Sequence, residues 1–352
     1  MRRFVMLMVV LALVATGKNT DGAETTVGGR IYADWMMDLT DGAESYNVFE
    51  LSRVYVDVKS KLSDYTSLRA TLDIRETDGF DGYSMILKYG FLDWKPKFAN
   101  NVMTFRFGLQ PTHYIDVMSD LWGRRYLEKV IADHRSLLTS SDLGAGLMFS
   151  FGEKNKNGYF AANVWNGTSY TKVEELNKQK DFSGFIIFKP LADNADFERT
   201  AIMGQAYFGT QNREFEEGES ASDYDHSLIS FGGMLGYRNT LDLGADININ
   251  KEGQGPDAED ITENAFSFFG TLYFEDMVAA ESLLRTLNLF GRVDMYDPNT
   301  DVDDNGRTYV MGGVECVPVK GFKASVNLRS VSYQAEGVDS DTYLYFNTEV
   351  KF

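Results

Sequence analysis

The chain has one cysteine, Cys316, six prolines and three histidines in 352 residues. A single thiol excludes a disulfide framework, a cysteine-built metal site and a haem-attachment motif. The three histidines, His113, His134 and His226, all fall in segments that read as loops, and no hydrolase motif surrounds them. Basic residues are outnumbered, 34 Lys and Arg against 52 Asp and Glu, and the net charge of −18 argues against a nucleic-acid partner. After the first fifteen residues no apolar run approaches the roughly 18 to 20 needed for a membrane-crossing helix. What the chain does have is 32 glycines and 14% aromatics, the composition of many strands.

The N-terminus reads as an export signal. Arg2 and Arg3 precede an apolar run from Phe4 to Ala15, too short to span a bilayer but the right length for a secretory core. Small residues place cleavage after 17 or after 23. Residues 1–23 are therefore expected to be a signal peptide and 24–352 a single domain.

From about residue 28 onward the pattern has a period of two. Leu241, Leu243, Ala245, Ile247 and Ile249 alternate with Asp242, Gly244, Asp246, Asn248 and Asn250. Leu68 to Arg75 and Met103 to Gln110 repeat the scheme. The closing stretch does too, with Leu344, Phe346, Val350 and Phe352 on one side and Tyr345, Asn347, Glu349 and Lys351 on the other. Alternation alone also fits a soluble sandwich. Polar faces carrying both charge signs fit a water-filled lumen better, and a closing strand with an aromatic terminus is common where the last strand must pair with the first. The expectation is an all-β chain, a transmembrane antiparallel β-barrel of about 16 strands. They lie near 28–38, 46–61, 65–77, 83–95, 101–110, 141–151, 158–166, 181–190, 199–210, 227–238, 241–251, 263–274, 286–297, 306–318, 322–333 and 342–352.

Alternate connections are expected to be long and acidic, with mostly tight turns between them. Such asymmetry matches long extracellular loops and short periplasmic turns. Acids cluster at Glu214–Asp225, Asp257–Asp260 and Asp301–Asp304. The plain reading is a solvated surface; the sharper one is divalent-cation bridging to lipopolysaccharide or within a loop. Asp297, Asn299, Asp301 and Asp303 have oxygen-rich, calcium-like spacing but lack the glutamate that closes an EF-hand. Calcium at surface loops is the only ion this pattern invites, and no cofactor is expected.

The third long connection, 111–140, mixes charges with apolar residues and carries a helical stretch over Asp120–Arg135, with Arg124 and Glu128 spaced to pair on one face. A loop this long and apolar is expected to fold into the barrel rather than stand in solvent. Here the chain resembles porins of the phosphate-selective O/P group. The resemblance rests on the third-loop position, Trp122-Gly123-Arg124-Arg125-Tyr126, Ser140 to Gly144, Asn166-Gly167 with Tyr170 and Glu174, and the Phe-terminated last strand. It implies a trimeric sixteen-stranded barrel whose third loop constricts a channel.

Strand parity puts Arg53, Lys59, Arg69, Arg75, Lys88 and Arg106 on the lumen face of the first five strands, with Asp57, Asp73, Asp242, Asp246, Asp294 and Glu315 as inward acids. Arg124, Arg125 and Arg135, with His113 and His134, are expected on the infolded loop opposite Arg69, Arg75 and Arg106, giving a net positive constriction. The resulting expectation is a non-enzymatic diffusion channel, weakly anion-preferring, in outer-membrane lipid and lipopolysaccharide, assembled through a closing strand ending in Phe352. The alternatives are an adhesive barrel with cation-binding loops and, last, a rim hydrolase.

Overall fold

Backbone amides and carbonyls in hydrocarbon must pair within the protein, and a sheet does so completely only by closing. The computed structural model, which describes residues 23–352 apart from 78–79, is a closed antiparallel barrel of sixteen strands, each paired with its neighbours in sequence and β1 with β16. The proposed leader, 1–23, lies outside the described residues except for Ala23. The strands are β1 (Glu24–Asp38), β2 (Asn47–Ser63), β3 (Thr66–Thr77), β4 (Phe80–Trp94), β5 (Met103–Pro111), β6 (Ser141–Phe151), β7 (Gly158–Trp165) and β8 (Asp181–Phe188). They continue as β9 (Ala201–Thr210), β10 (Asp225–Tyr237), β11 (Leu241–Glu252), β12 (Ile261–Tyr273), β13 (Leu287–Asp297), β14 (Arg307–Val319), β15 (Phe322–Tyr333) and β16 (Asp341–Lys351). Every strand lies within a few residues of its expected position.

Two details of the connections differ. The turn side is not uniformly tight: 189–200 and 274–286 are long, the latter ending in a 3-10 turn at Leu283–Thr286. On the opposite side, β3 and β4 are separated only by positions 78–79.

Of the register shifts in the sheet, two decide which side chains of β2 and β4 face inward. On β2, Arg53 pairs with Tyr32 and Glu50 with Asp34, so Leu51 and Ser52 share one partner position and the parity of the strand changes there. Phe49 consequently points out, 82% exposed, while Arg53, Tyr55 and Asp57 point in. On β4, Thr71 pairs with Tyr89 and Leu72 with Leu87, leaving Lys88 as the extra residue.

The seam between β1 and β16 runs from Arg30–Lys351 to Asp38–Tyr343. Phe352 extends it: its N–H donates to Gly29 O at 3.1 Å and its carbonyl accepts from Gly29 N–H at 3.0 Å. A Cβ at Gly29 would meet the Phe352 ring at 2.7 Å, so glycine is what lets the terminal aromatic lie across the first strand. Cys316 pairs with Leu287 and Ala324 on the outward face, next to inward Glu315.

Candidate functional site: the barrel interior

The third loop, 112–140, begins with helix α1 (His113–Trp122), not at Asp120 as its charge spacing implied. Gly123, at φ +66°, ends it with its N–H on Ser119 O, a left-handed cap that most residues adopt only with strain. The helix is two-faced. His113, Tyr114, Ile115, Met118 and Trp122 are buried, and Asp116 and Asp120, four apart, are exposed. A second short helix, α2 (Ile131–His134), follows.

The buried face packs on the inward residues of β7 to β13. His113 stacks on Phe185, with centroids 5.6 Å apart, and its Nδ1 is 3.2 Å from Tyr159 Oη. Tyr114 donates to Asp246 at 2.7 Å. Trp122 meets Phe269 edge-on at 5.2 Å. Large side chains sealed this way each contribute roughly 1.5 to 3 kcal/mol, so this loop is fixed by a core of its own. Burial pushes the His113 imidazole down to about 3, with Arg106 adding to the shift, so His113 is neutral.

The expected arginines do not line up against the basic wall. Arg124 crosses to the other side, donating to Glu315 at 2.9 Å and to Thr271 at 2.7 Å, with Tyr126 completing the Glu315 site at 2.9 Å. The Arg124 and Glu315 side chains are 4% and 3% exposed, a sealed ion pair. Arg125 is held by Asp133 at 3.1 Å, and Arg135 lies over the Tyr296 ring at 5.1 Å. Nor do Arg124 and Glu128 pair, because Gly123 stops the helix before them. Glu128 takes Arg329 at 3.7 Å and His134 at 3.4 Å. Burial pushes the His134 imidazole down, against the pull of Glu128.

What faces the basic wall is acid. Asp116 is reached by water yet enclosed by the barrel: burial raises its carboxyl, Asp120 raises it further, and Arg69, Arg106 and Lys88 oppose the shift. Asp120 is likewise raised by burial, opposed by Arg30, Lys351 and Arg69. Among the described residues neither forms an ion pair within 4 Å, so a gap separates them from the wall. The wall cations are themselves paired. Arg53 binds Asp73 at 2.8 Å, Arg69 binds Asp57 at 2.7 Å, and Arg106 chelates Asp93 at 2.7 and 2.9 Å. Arg75 stands 3.9 Å from Asp73. Lys88 has Ser140 Oγ at 3.0 Å and three tyrosine rings around it.

In this arrangement the chain is similar to solved outer-membrane barrels. OmpT of Vibrio cholerae in its trimer form superposes with a TM-score of 0.62 at 14% identity, covering 94% of this chain and 100% of that one. The anion-selective porin of Comamonas acidovorans gives 0.62 at 12%, covering 94% and 100%. The outer membrane channel DcaP of Acinetobacter baumannii gives 0.63 at 10%, covering 95% and 99%. No protein-family model and no curated protein sequence matches. Likeness at such identities establishes the fold.

Asp116 and Asp120 are the interior charges that sequence reading missed; their spacing of four opposite Ile115, Met118 and Trp122 was the available signal. Among the described residues no three acidic, His or Cys side chains converge on one point. Asp297 and Asn299 instead accept turn N–H groups from Asn299 and Asp301, at 3.0 and 3.1 Å. His226 stacks on Tyr207 and stands 3.8 Å from Asp181.

Proposed function

We propose that this chain is an outer-membrane porin: an exported channel of a Gram-negative bacterium that passes small hydrophilic solutes down their gradients without cofactor or chemistry. The observation that carries this reading is the charged gap between Asp116 and Asp120 on α1 and the wall bearing Arg69 and Arg106. Opposed charges across a narrow, low-dielectric passage give a transverse field that orients polar solutes and disfavours apolar ones. Because Arg124 and Arg125 are each neutralised and the third loop presents acids, the channel is weakly selective. The anion preference inferred from third-loop arginines loses its main source. Phosphate handling, as in the O/P group that the sequence resembles, would have to come from wall cations alone.

The same proposal includes residues 1–23 as a leader, a homotrimer surrounded by lipid and lipopolysaccharide, and recognition of the β16 strand with Phe352 by the barrel assembly machinery. Purified protein in planar bilayers should open in discrete steps, with a permeability ratio near unity in a potassium chloride gradient. Protein that folds and shifts on gels when heated but never conducts would leave the adhesive barrel as the better reading.

A further inference from the structure

The fourth loop, 166–180, sends one residue into the interior under an unusual constraint. Asp142, at the start of β6, is buried, and its carboxylate gathers the loop. It accepts from Gly167 N–H at 2.7 Å, Thr168 N–H at 3.1 Å, Thr168 Oγ1 at 3.1 Å and Ser169 N–H at 3.3 Å. Gly167 at φ +79° and Ser169 at φ +124° bend the backbone so that these groups converge. Serine at that angle is strained, and charge-assisted hydrogen bonds hold it there.

Tyr170 is aimed by this clasp. Its N–H donates to Ser141 O at 3.1 Å, and its hydroxyl reaches β3 to donate to Asp73 Oδ2 at 3.2 Å. Its ring lies 4.8 Å from Lys88 Nζ and 5.9 Å from the Arg75 guanidinium. Lys88 is 5% exposed and Asp73 0%. Arg53 and Arg75 stand at Asp73 and Lys88 at the same tyrosine ring, while Arg125, paired with Asp133, faces them from the third loop, so the cations of this part of the wall outnumber its two acids.

We infer that Tyr170 is a selectivity-determining residue: a fixed aromatic screen, held by Asp142, that keeps Lys88 out of the ion path. This rests on the channel reading. The π face engages the cations, its bulk excludes water from the ammonium, and its hydroxyl fixes the carboxylate that offsets them.

The test is reversal potential and single-channel conductance for the full-length protein and for Tyr170→Ala, Tyr170→Phe and Asp142→Asn. Tyr170→Ala should raise the anion-to-cation permeability ratio roughly 2- to 5-fold by uncovering charge in a confined passage. Tyr170→Phe, which keeps the ring, should move it less in the same direction, and Asp142→Asn should follow Tyr170→Ala because the loop is released. Normally folded Tyr170→Ala and Asp142→Asn proteins with the parent ratio, or a shift toward cations, would overturn the inference. In detergent, acylation mapped by mass spectrometry reads the screen without conduction: Lys88 should be protected in the parent and reactive in Tyr170→Ala. Protection in both overturns the screen, whereas a parent that never conducts but shows the reactivity change overturns only the channel.

Discussion

The wall of β1 to β5 and the wall of β9 to β15 present the same alternation of inward charge, yet the charges do different work. On the first wall Asp57, Arg69, Asp93 and Arg106 are partly exposed and pair with one another beside water. On the second, Asp246, Arg292, Asp294 and Glu315 are buried beneath the third loop. Two of them, Asp246 and Glu315, take their donors from that loop, Tyr114 in one case and Arg124 with Tyr126 in the other. An inward charge is a pore charge only where nothing lies on it. One half of the interior is therefore a lining, and the other half is a protein core that happens to be enclosed by a barrel.

The contrast breaks most visibly at Glu315. Removing a carboxylate that sits on a sealed guanidinium leaves a buried charge without its partner, so Glu315→Ala should cost about 3 to 5 kcal/mol in urea unfolding from micelles. Asp93→Ala, which frees the partly exposed Arg106, should cost about 1 kcal/mol or less. Equal losses would erase the distinction between lining and core.

Acid should act next, through His113. Its folded-state pKa of about 3 lies below the ordinary 6.5, so the unfolded chain takes up a proton first as pH falls. Stability should therefore drop progressively from about pH 6.5 toward about pH 3, by a few kcal/mol in total. His113→Phe, which keeps the stacking on Phe185, should flatten that part of the profile. A parallel decline in both proteins would assign the acid sensitivity elsewhere.

Conduction should respond on the opposite wall and barely register in stability. Asp116→Asn with Asp120→Asn should shift reversal potentials toward anions, and Arg69→Gln with Arg106→Gln toward cations, each by a few-fold in permeability ratio. Because burial raises both carboxyls, acidification should shift reversal potentials in the same direction as the Asn double variant. Their protonation stabilises the fold as pH falls through those raised values, the reverse of His113, so the two effects are separable by sign. Smallest of all should be Glu216→Gln with Glu217→Gln. These loop-tip charges are screened beyond about 8 to 10 Å in physiological salt, and a measurable change in selectivity would move the filter to the vestibule.

Strand positions were legible because a period of two over ten or more residues admits few readings, and inward Asp57, Asp73, Asp246 and Glu315 followed from parity. The bulge at Leu51 and Ser52 was not legible, since it leaves no trace in the polarity of β2. Within the third loop the spacing of charges did not identify their partners. The i, i+4 spacing of Arg124 and Glu128 is helical in form, but Gly123 cuts the helix, and tertiary partners on β14 and β15 outbid a surface pair. Tyr170 carried no polarity signal at all; only the Asp142 carboxylate on β6 reveals why it points inward.

The seam between β1 and β16 has a consequence for how the protein comes into being. Every other strand pair joins neighbours along the chain, whereas Thr348 Oγ1 donates to Ala33 O across 315 positions. Bringing such distant segments together costs more chain entropy than any hairpin, so the seam is the slowest contact to form and the last to be rewarded. Until it forms, the growing sheet has two raw edges and no enclosed interior, and the third loop has only part of the wall it rests on. Maturation is thus a single late commitment: the ring shuts around its own loop.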